Sequence, residues 1–236
     1  MKELAHAARA LLKLELAAEQ QQAFDTYAAC LLEWNKHTNL TAITDPPAIA
    51  TKHFLDSLTL LQALRPTHHM RVIDVGTGAG FPGLPLRLAF PQIQLTLLEA
   101  TAKKTRFLQH VVEELGLRDV QILTARAEEA GQNAATREQY DLVLARAVAR
   151  LPVLSEYLLP LCKVGGRCVA LKGEHAAAEA HQAERALSIL GGHVTRIVPV
   201  ELPQVTETHH LVTVEKNAAT PPKYPRRAGM PAKRPL

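Results

Sequence analysis

The chain has 236 residues, of which 47% are hydrophobic and 21% charged, and a formal net charge of +4. That length holds one α/β domain with an extension and a substantial core, and the composition is that of an ordinary soluble globular protein. No apolar run approaches the length that spans a bilayer, so no membrane-spanning helix is expected. The opening MKELAHAARALLKLEL carries charges through its apolar positions, unlike a signal peptide, and the expected location is cytoplasmic. Cys30, Cys162 and Cys168 are odd in number and form no C-x-x-C pair, so neither a disulfide framework nor a zinc knuckle is expected. The histidine pairs His68-His69 and His209-His210 are adjacent, a spacing that turns neither pair toward one metal, and no metal site is expected.

Residues 3 to 37 read as two helices; in the second, Phe24, Tyr27, Ala28, Leu31, Leu32 and Trp34 form an amphipathic face that needs something to pack on. The run from Asn35 to Thr41 is polar and reads as a loop. Asp45 with Pro46 and Pro47 predicts an N-cap and first turn, opening a third helix through about Leu64. On it Lys52, His53 and Asp56 lie within one turn, and Lys52 and Asp56 are spaced to pair at i, i+4.

Val72 to Val75 reads as a buried strand that runs into Gly76, Gly78, Gly80 and Gly83 and then a helix from about Leu84 to Ala89. Glycines at that spacing let the main chain lie against a ligand that a Cβ would push away, and the following helix is expected to aim its free N–H groups at the same place. In the dinucleotide fingerprint the third glycine follows the second by three residues; here Gly80 follows Gly78 by two. With the acid Asp74 before it, the compact run resembles the S-adenosylmethionine loop of class I methyltransferases. A second strand, Gln94 to Leu98, ends in Glu99, nineteen residues after Gly80, where a doubly wound fold places the acid that hydrogen-bonds a ribose.

Ala102 to Leu115 is predicted helical, with Lys103, Lys104 and Arg106 at the end where the macrodipole disfavours cations, a placement that suits an anionic partner. Strand three, Val120 to Leu123, leads into a short loop over Thr124 to Glu129, facing the crevice. Strand four, Asp141 to Ala145, puts Arg146 at its carboxyl end, where open sheets bind ligands. Strand five, Arg167 to Leu171, precedes Lys172-Gly173 and an alanine-rich helix to about Leu190. Two further strands, Val194 to Val200 and His210 to Glu215, close a seven-stranded sheet with an antiparallel final strand.

The last segment is compositionally distinct. Residues 217–236 hold Lys223, Arg226, Arg227, Lys233 and Arg234 and no acid, so they carry +5 while the first 216 residues carry −1. Proline-rich and basic, with Tyr224 available for base stacking, the segment predicts an RNA-contacting arm that orders on binding and has no helix of its own. Its removal is expected to weaken RNA binding and spare cofactor affinity.

Together, Trp34-Asn35 with Asn39-Leu40-Thr41, His53-Phe54-Leu55-Asp56-Ser57, the Asp74 to Gly83 loop, Lys103-Lys104 with Arg106-Phe107-Leu108, Arg146-Ala147 and Ala170-Leu171-Lys172-Gly173 resemble the small-subunit ribosomal RNA guanine-N7 methyltransferase family, also called glucose-inhibited division protein B. The resemblance covers nearly the whole chain. It implies a class I S-adenosylmethionine-dependent methyltransferase fold, a Rossmann-like seven-stranded sheet. The expected organisation is a helical extension over 1–66, the methyltransferase domain over 67–216 and the tail over 217–236. The implied reaction transfers a methyl group from S-adenosylmethionine to N7 of a guanine in 16S ribosomal RNA, presented as RNA or as a small-subunit particle, by a monomer. By position, cofactor contacts fall on Gly76, Phe81, Ala127, Glu128 and Arg146, with Gly78 in the same loop and Glu99 as the ribose acid. Arg146 is expected to anchor the cofactor or the base O6, while Asn39, His53 and Asp56 shape the guanine side. The competing classes are a nicotinamide dehydrogenase, a small-molecule methyltransferase and a ribosome-assembly factor without turnover. Glycine spacing speaks against the first and the basic tail against the second.

Overall fold

A computed structural model describes all residues, 1–236. Helix α1 (Lys2–Leu12) buries Leu4, Ala8 and Leu12, one apolar residue per turn, and ends where Lys13 takes a left-handed conformation. Helix α2 (Ala18–Asn35) buries Phe24, Tyr27, Ala28 and Leu31, the face its spacing predicts. The third predicted helix is a composite. It comprises α3 (Pro46–Ile49), a π-helical stretch Ala50–Leu55, α4 (Asp56–Leu58) and a 3-10 turn Thr59–Gln62. The Asp45 carboxylate caps its start by accepting the Ala48 N–H at 3.0 Å.

From Arg71 the chain alternates strand and helix: β1 (Arg71–Val75), α5 (Gly83–Ala89), β2 (Gln94–Glu99), α6 (Ala102–Glu114), β3 (Val120–Thr124), α7 (Ala127–Gln132), β4 (Tyr140–Arg146), α8 (Leu151–Leu158), β5 (Cys162–Lys172) and α9 (Ala176–Leu190). Strands β6 (Gly192–Val200) and β7 (His209–Lys216) complete a sheet of order β3-β2-β1-β4-β5-β7-β6. The first five strands run parallel and β7 is antiparallel to both neighbours, as the polar connection before it predicts.

Alternate residues of the central strands face opposite sides. Val72, Leu142 and Leu144 belong to a core shared with α1, α2, α5 and α6, whereas Ile73, Val75, Val143 and Ala145 belong to one shared with α8 and α9. The N-terminal extension is therefore part of the domain's own core. Gln20 ties it down: its amide donates to the carbonyls of Leu88 and Ala89 at the end of α5, 2.8 and 3.0 Å away. Trp34 stacks on His110 and tilts against Phe107 of α6, the packing role its apolar face implies.

The tail differs from its expectation. It lies folded against the domain and ends in a short helix, α10 (Met230–Lys233). Its root is the Lys216 ammonium, fully buried, whose three donors reach Glu138 Oε1, the Leu159 carbonyl and Thr220 Oγ1. A buried cation is tolerated only with such a complete set of acceptors. Arg137 then donates to the carbonyls of Thr220 and Tyr224, both at 2.7 Å. Tyr224 is buried, which removes it as a base-stacking residue. Composition alone suggests a solvated arm; the groups that hold it come from segments far away in sequence.

Candidate functional site

The strand order reverses between β1 and β4, and their carboxyl ends open a crevice there, the place where doubly wound sheets bind ligands. Four sequence-predicted positions converge on it: the glycine loop after β1, Glu99 at the end of β2, the segment Ala125–Glu128 after β3, and Arg146 at the end of β4.

The loop needs glycine for two different reasons. Gly80, at φ +101°, would put a Cβ 2.5 Å from the Tyr27 hydroxyl and from Leu84. Gly78, at φ +62°, would put a Cβ into space, with only the Gly76 carbonyl at 4.0 Å. The backbone at Gly78 is thus exposed to whatever enters the crevice. Tyr27 explains the crowding at Gly80: its hydroxyl donates to the Ala79 carbonyl at 2.5 Å and its ring stacks on Phe81. Through this bond α2 clamps the loop.

The helix after the loop does not present free N–H groups to a ligand. The Gly83 N–H donates to Asp74 Oδ2 at 2.8 Å and the Leu84 N–H to the Gly80 carbonyl. Asp74, wholly buried, also accepts the Thr77 hydroxyl at 2.6 Å, while its Oδ1 has no partner. Burial pushes this carboxyl up to about 6, against the two hydrogen bonds that favour its ionised form. Asp74 shapes the loop from beneath. Glu99 accepts the Gly78 N–H at 3.1 Å and the Thr101 N–H at 2.8 Å, which fixes its carboxylate beside the open glycine.

The sequence predicts a loop through Glu129 after β3, yet α7 begins at Ala127. The Glu128 side chain is buried and accepts the Gly229 N–H of the tail at 2.8 Å.

Arg146 joins the extension to the sheet. One terminal nitrogen donates to Asp56 Oδ2 at 2.8 Å and to the Lys52 carbonyl at 3.1 Å; the other lies 3.3 Å from His53 Nδ1. The guanidinium also lies over the Phe81 ring, 4.9 Å from its centre, in cation–π geometry. His53 stacks on the same ring at 4.6 Å. Since a guanidinium can only donate, His53 Nδ1 is the acceptor and Nε2 carries the proton, which goes to Thr41 Oγ1 at 2.7 Å. Burial, reinforced by the Arg146 charge, holds His53 down at about 4, so the ring is neutral near pH 7. The expected Lys52–Asp56 pair does not form. Lys52 is exposed, and Asp56, at the end of the π-helical stretch, faces Arg146 and His209.

Burial pushes the Asp56 carboxyl up, but the hydrogen bond from His209 Nδ1 at 2.9 Å and the Arg146 charge hold it below the ordinary range. The same bond raises His209. Sequence reasoning missed His209, 153 residues from its partner; the one available signal was a histidine opening β7, next to the crevice. Spacing marks Tyr27 only as a packing residue and gives no sign of its bond to the loop. Asn39 is exposed on the loop between α2 and α3, two residues from Thr41, and that loop is held by Asn35, whose Oδ1 accepts the N–H groups of Leu40 and Thr41. Asn39 itself has no bond to the cluster.

Of the tail cations, Lys223, Arg227, Lys233 and Arg234 are exposed, whereas Arg226 is held by Glu156. Lys103 and Arg106 of α6 are exposed and without acidic partners. No group of three or more His, Cys, Asp or Glu could hold a metal ion, and no helix is long and apolar enough to cross a membrane.

With this geometry in hand, a family model described as GidB, rRNA small subunit methyltransferase G, matches residues 20–211. The chain belongs to that family. It is similar to the ribosomal RNA small subunit methyltransferase G of Ligilactobacillus salivarius, at 48% identity over 226 residues covering 94% of each chain. It also resembles that of Roseiflexus castenholzii, at 50% over 223 residues, again 94% of each. Among solved structures, a SAM dependent methyltransferase from Aquifex aeolicus has the same fold, with a TM-score of 0.54 at 18% identity over 72% of this chain and 93% of that one.

Proposed function

We propose that this protein transfers a methyl group from S-adenosylmethionine to N7 of a guanine in 16S ribosomal RNA, as a monomer in the bacterial cytoplasm. The observation that carries the reading is the juxtaposition of an open glycine at Gly78, flanked by the fixed Glu99 carboxylate, with the Arg146, Asp56, His53 and Phe81 cluster at the same crevice. The family relation fits it.

The residues present fit the cofactor. Gly78 offers the space that a Cβ would fill, and Glu99 ends β2, where sheets of this topology carry a ribose acceptor. The loop from Gly76 to Phe81, Ala127 opening α7 and Arg146 ending β4 follow or end strands at the same edge of the sheet. When bound, the cofactor supplies an electrophilic sulfonium methyl.

Guanine N7 already holds an unshared pair, so the protein has to align and desolvate rather than remove a proton. Arg146 is suited to orient the base. Three of its N–H donors are engaged by Asp56, Lys52 and His53, leaving Nε and one terminal N–H for a purine acceptor such as O6. A donor on N7 itself would block the attack. The purine becomes cationic as it is methylated; the neutral His53 adds no opposing charge and the ionised Asp56 offsets that of Arg146. The exposed Lys223, Arg227, Lys233 and Arg234, with Lys103, Lys104 and Arg106, supply phosphate contacts, and Asn39 is exposed at the guanine side.

The test is tritium transfer from labelled S-adenosylmethionine into naked 16S RNA and small-subunit particles from a strain lacking the enzyme, followed by nuclease mapping. Label recovered as 7-methylguanosine supports the reading. Bound cofactor with no transferred label would favour an assembly factor, and label on another base atom would contradict the N7 assignment.

A further inference from the structure

We propose that the C-terminal tail is a strap that positions α7, and that it thereby sets cofactor affinity. This inference rests on the assignment of Ala127 and Glu128 to the cofactor side of the crevice. It runs against the expectation, drawn from composition, that the tail could be removed without effect on the cofactor.

Helix α7 spans six residues, too few to hold itself in place. The tail grips it at both ends. At its start, the buried Glu128 carboxylate accepts the Gly229 N–H at 2.8 Å. At its end, the Gln132 amide donates to the Pro225 carbonyl at 2.8 Å, and Gly131 lies so close to the Pro225 ring that a Cβ there would sit 2.7 Å from it. Arg137, just beyond, donates to the Gly131 carbonyl and the Tyr224 carbonyl with the same nitrogen, at 2.8 and 2.7 Å.

The grip is locked from α8. Glu156, almost fully buried, receives Arg226 through two parallel bonds, Nε to Oε1 at 2.9 Å and the terminal nitrogen to Oε2 at 2.7 Å, and accepts the Arg226 backbone N–H as well. Arg226 also donates to the Arg234 carbonyl at 2.8 Å, which folds the end of the chain back on the lock. Bidentate pairs of this kind fix geometry as well as energy. Gly229 is delivered to Glu128 by the two residues that follow the lock, Arg227 and Ala228. Glu128 is therefore a positioning residue: its carboxylate is turned to the strap, and the α7 backbone is what it holds in the crevice.

The test uses calorimetric titration of S-adenosylmethionine into three variants of the full chain. One lacks residues 226–236 and so keeps the Lys216 and Thr220 network; one carries Glu128→Ala; the third combines the two. Each single change is expected to weaken cofactor binding about fivefold to tenfold, and the combination to weaken it no further than the larger single effect, because both remove one connection. Undiminished affinity in the truncated protein, or effects that multiply, would overturn the proposal. A tail with only a structural role would lower the melting temperature without moving the dissociation constant.

A second measurement needs no variant. In the intact protein, saturating cofactor is expected to slow amide exchange in residues 226–230 by severalfold, since linkage is reciprocal. Unchanged exchange there would contradict the strap. A wild-type protein that bound no S-adenosylmethionine would instead bring down the functional assignment itself, so the two failures are distinguishable.

Discussion

Two arginine–carboxylate pairs, Arg146 with Asp56 and Arg226 with Glu156, are built from the same chemistry and do different work. Both carboxylates are nearly sealed from water, their side chains 4% and 1% exposed, and both arginines are mostly covered, at 16% and 25%. The difference lies in what else touches them. Arg226 closes a bidentate fork on Glu156 and folds back on its own segment through Arg234. Arg146 reaches Asp56 through one nitrogen only, shares itself with Lys52, His53 and Phe81, and keeps donors free beside the crevice. A fork spent on one buried carboxylate and on its own segment is the mark of a structural pair, whereas the arginine shared among several elements at the crevice is the one we propose to act on the base.

The comparison can be broken from either side. Asp56→Ala leaves Arg146 without its anion and His209 without its acceptor; methyl transfer is expected to fall about tenfold to a hundredfold through misplacement of the base, read as kcat at saturating cofactor. Arg226→Ala strands a buried carboxylate and is expected to cost about 3 kcal/mol of stability, read by urea unfolding; a loss below about 1 kcal/mol would make the pair dispensable. Neutralising Lys223, Arg227, Lys233 and Arg234 together should weaken RNA binding and flatten the salt dependence by about 0.7 for each phosphate that those cations neutralise. An unchanged slope would make them bystanders.

The smallest signal separates the two histidines of the Asp56 cluster. His53, held near 4 rather than the ordinary 6.5, should show an unmoving Nε2–H resonance pattern in nitrogen-detected NMR from pH 7 to pH 5. His209, raised by Asp56, should still be protonated above its ordinary midpoint. The stability consequences have opposite signs. Between pH 6.5 and 4 the unfolded chain binds a proton that folded His53 refuses, so that contribution is lost as pH falls. The His209 contribution is complete below 6.5 and is lost as pH rises through its raised value. Asp56, depressed in the fold, gives up its share only in acid.

How much of this was legible in the sequence follows from the range of the interactions. The central strands read as apolar runs because both their faces are buried; they and the Gly76 to Gly83 run carry their signal locally, and Glu99 and Arg146 stand out because a parallel sheet places strand ends together. The π-helical turn at Ala50–Leu55 leaves no mark in the sequence, and Asp56 at its end meets Arg146 and not Lys52. His209 reaches Asp56 from the opposite end of the chain. Composition misjudges the tail because prolines and cations look solvated until their partners are known, and those partners, Glu128, Gln132, Arg137 and Glu156, are ordinary residues of other elements.

The division between the two pairs is tested most directly by single-turnover methyl transfer with Arg146→Ala at saturating S-adenosylmethionine, with its unfolding midpoint measured alongside. A rate lowered about a hundredfold in a protein that still unfolds cooperatively near the wild-type midpoint is the expected result. Transfer at a near-normal rate would show that Arg146 does not orient the base, and its pair with Asp56 would then be as purely structural as that of Arg226 with Glu156.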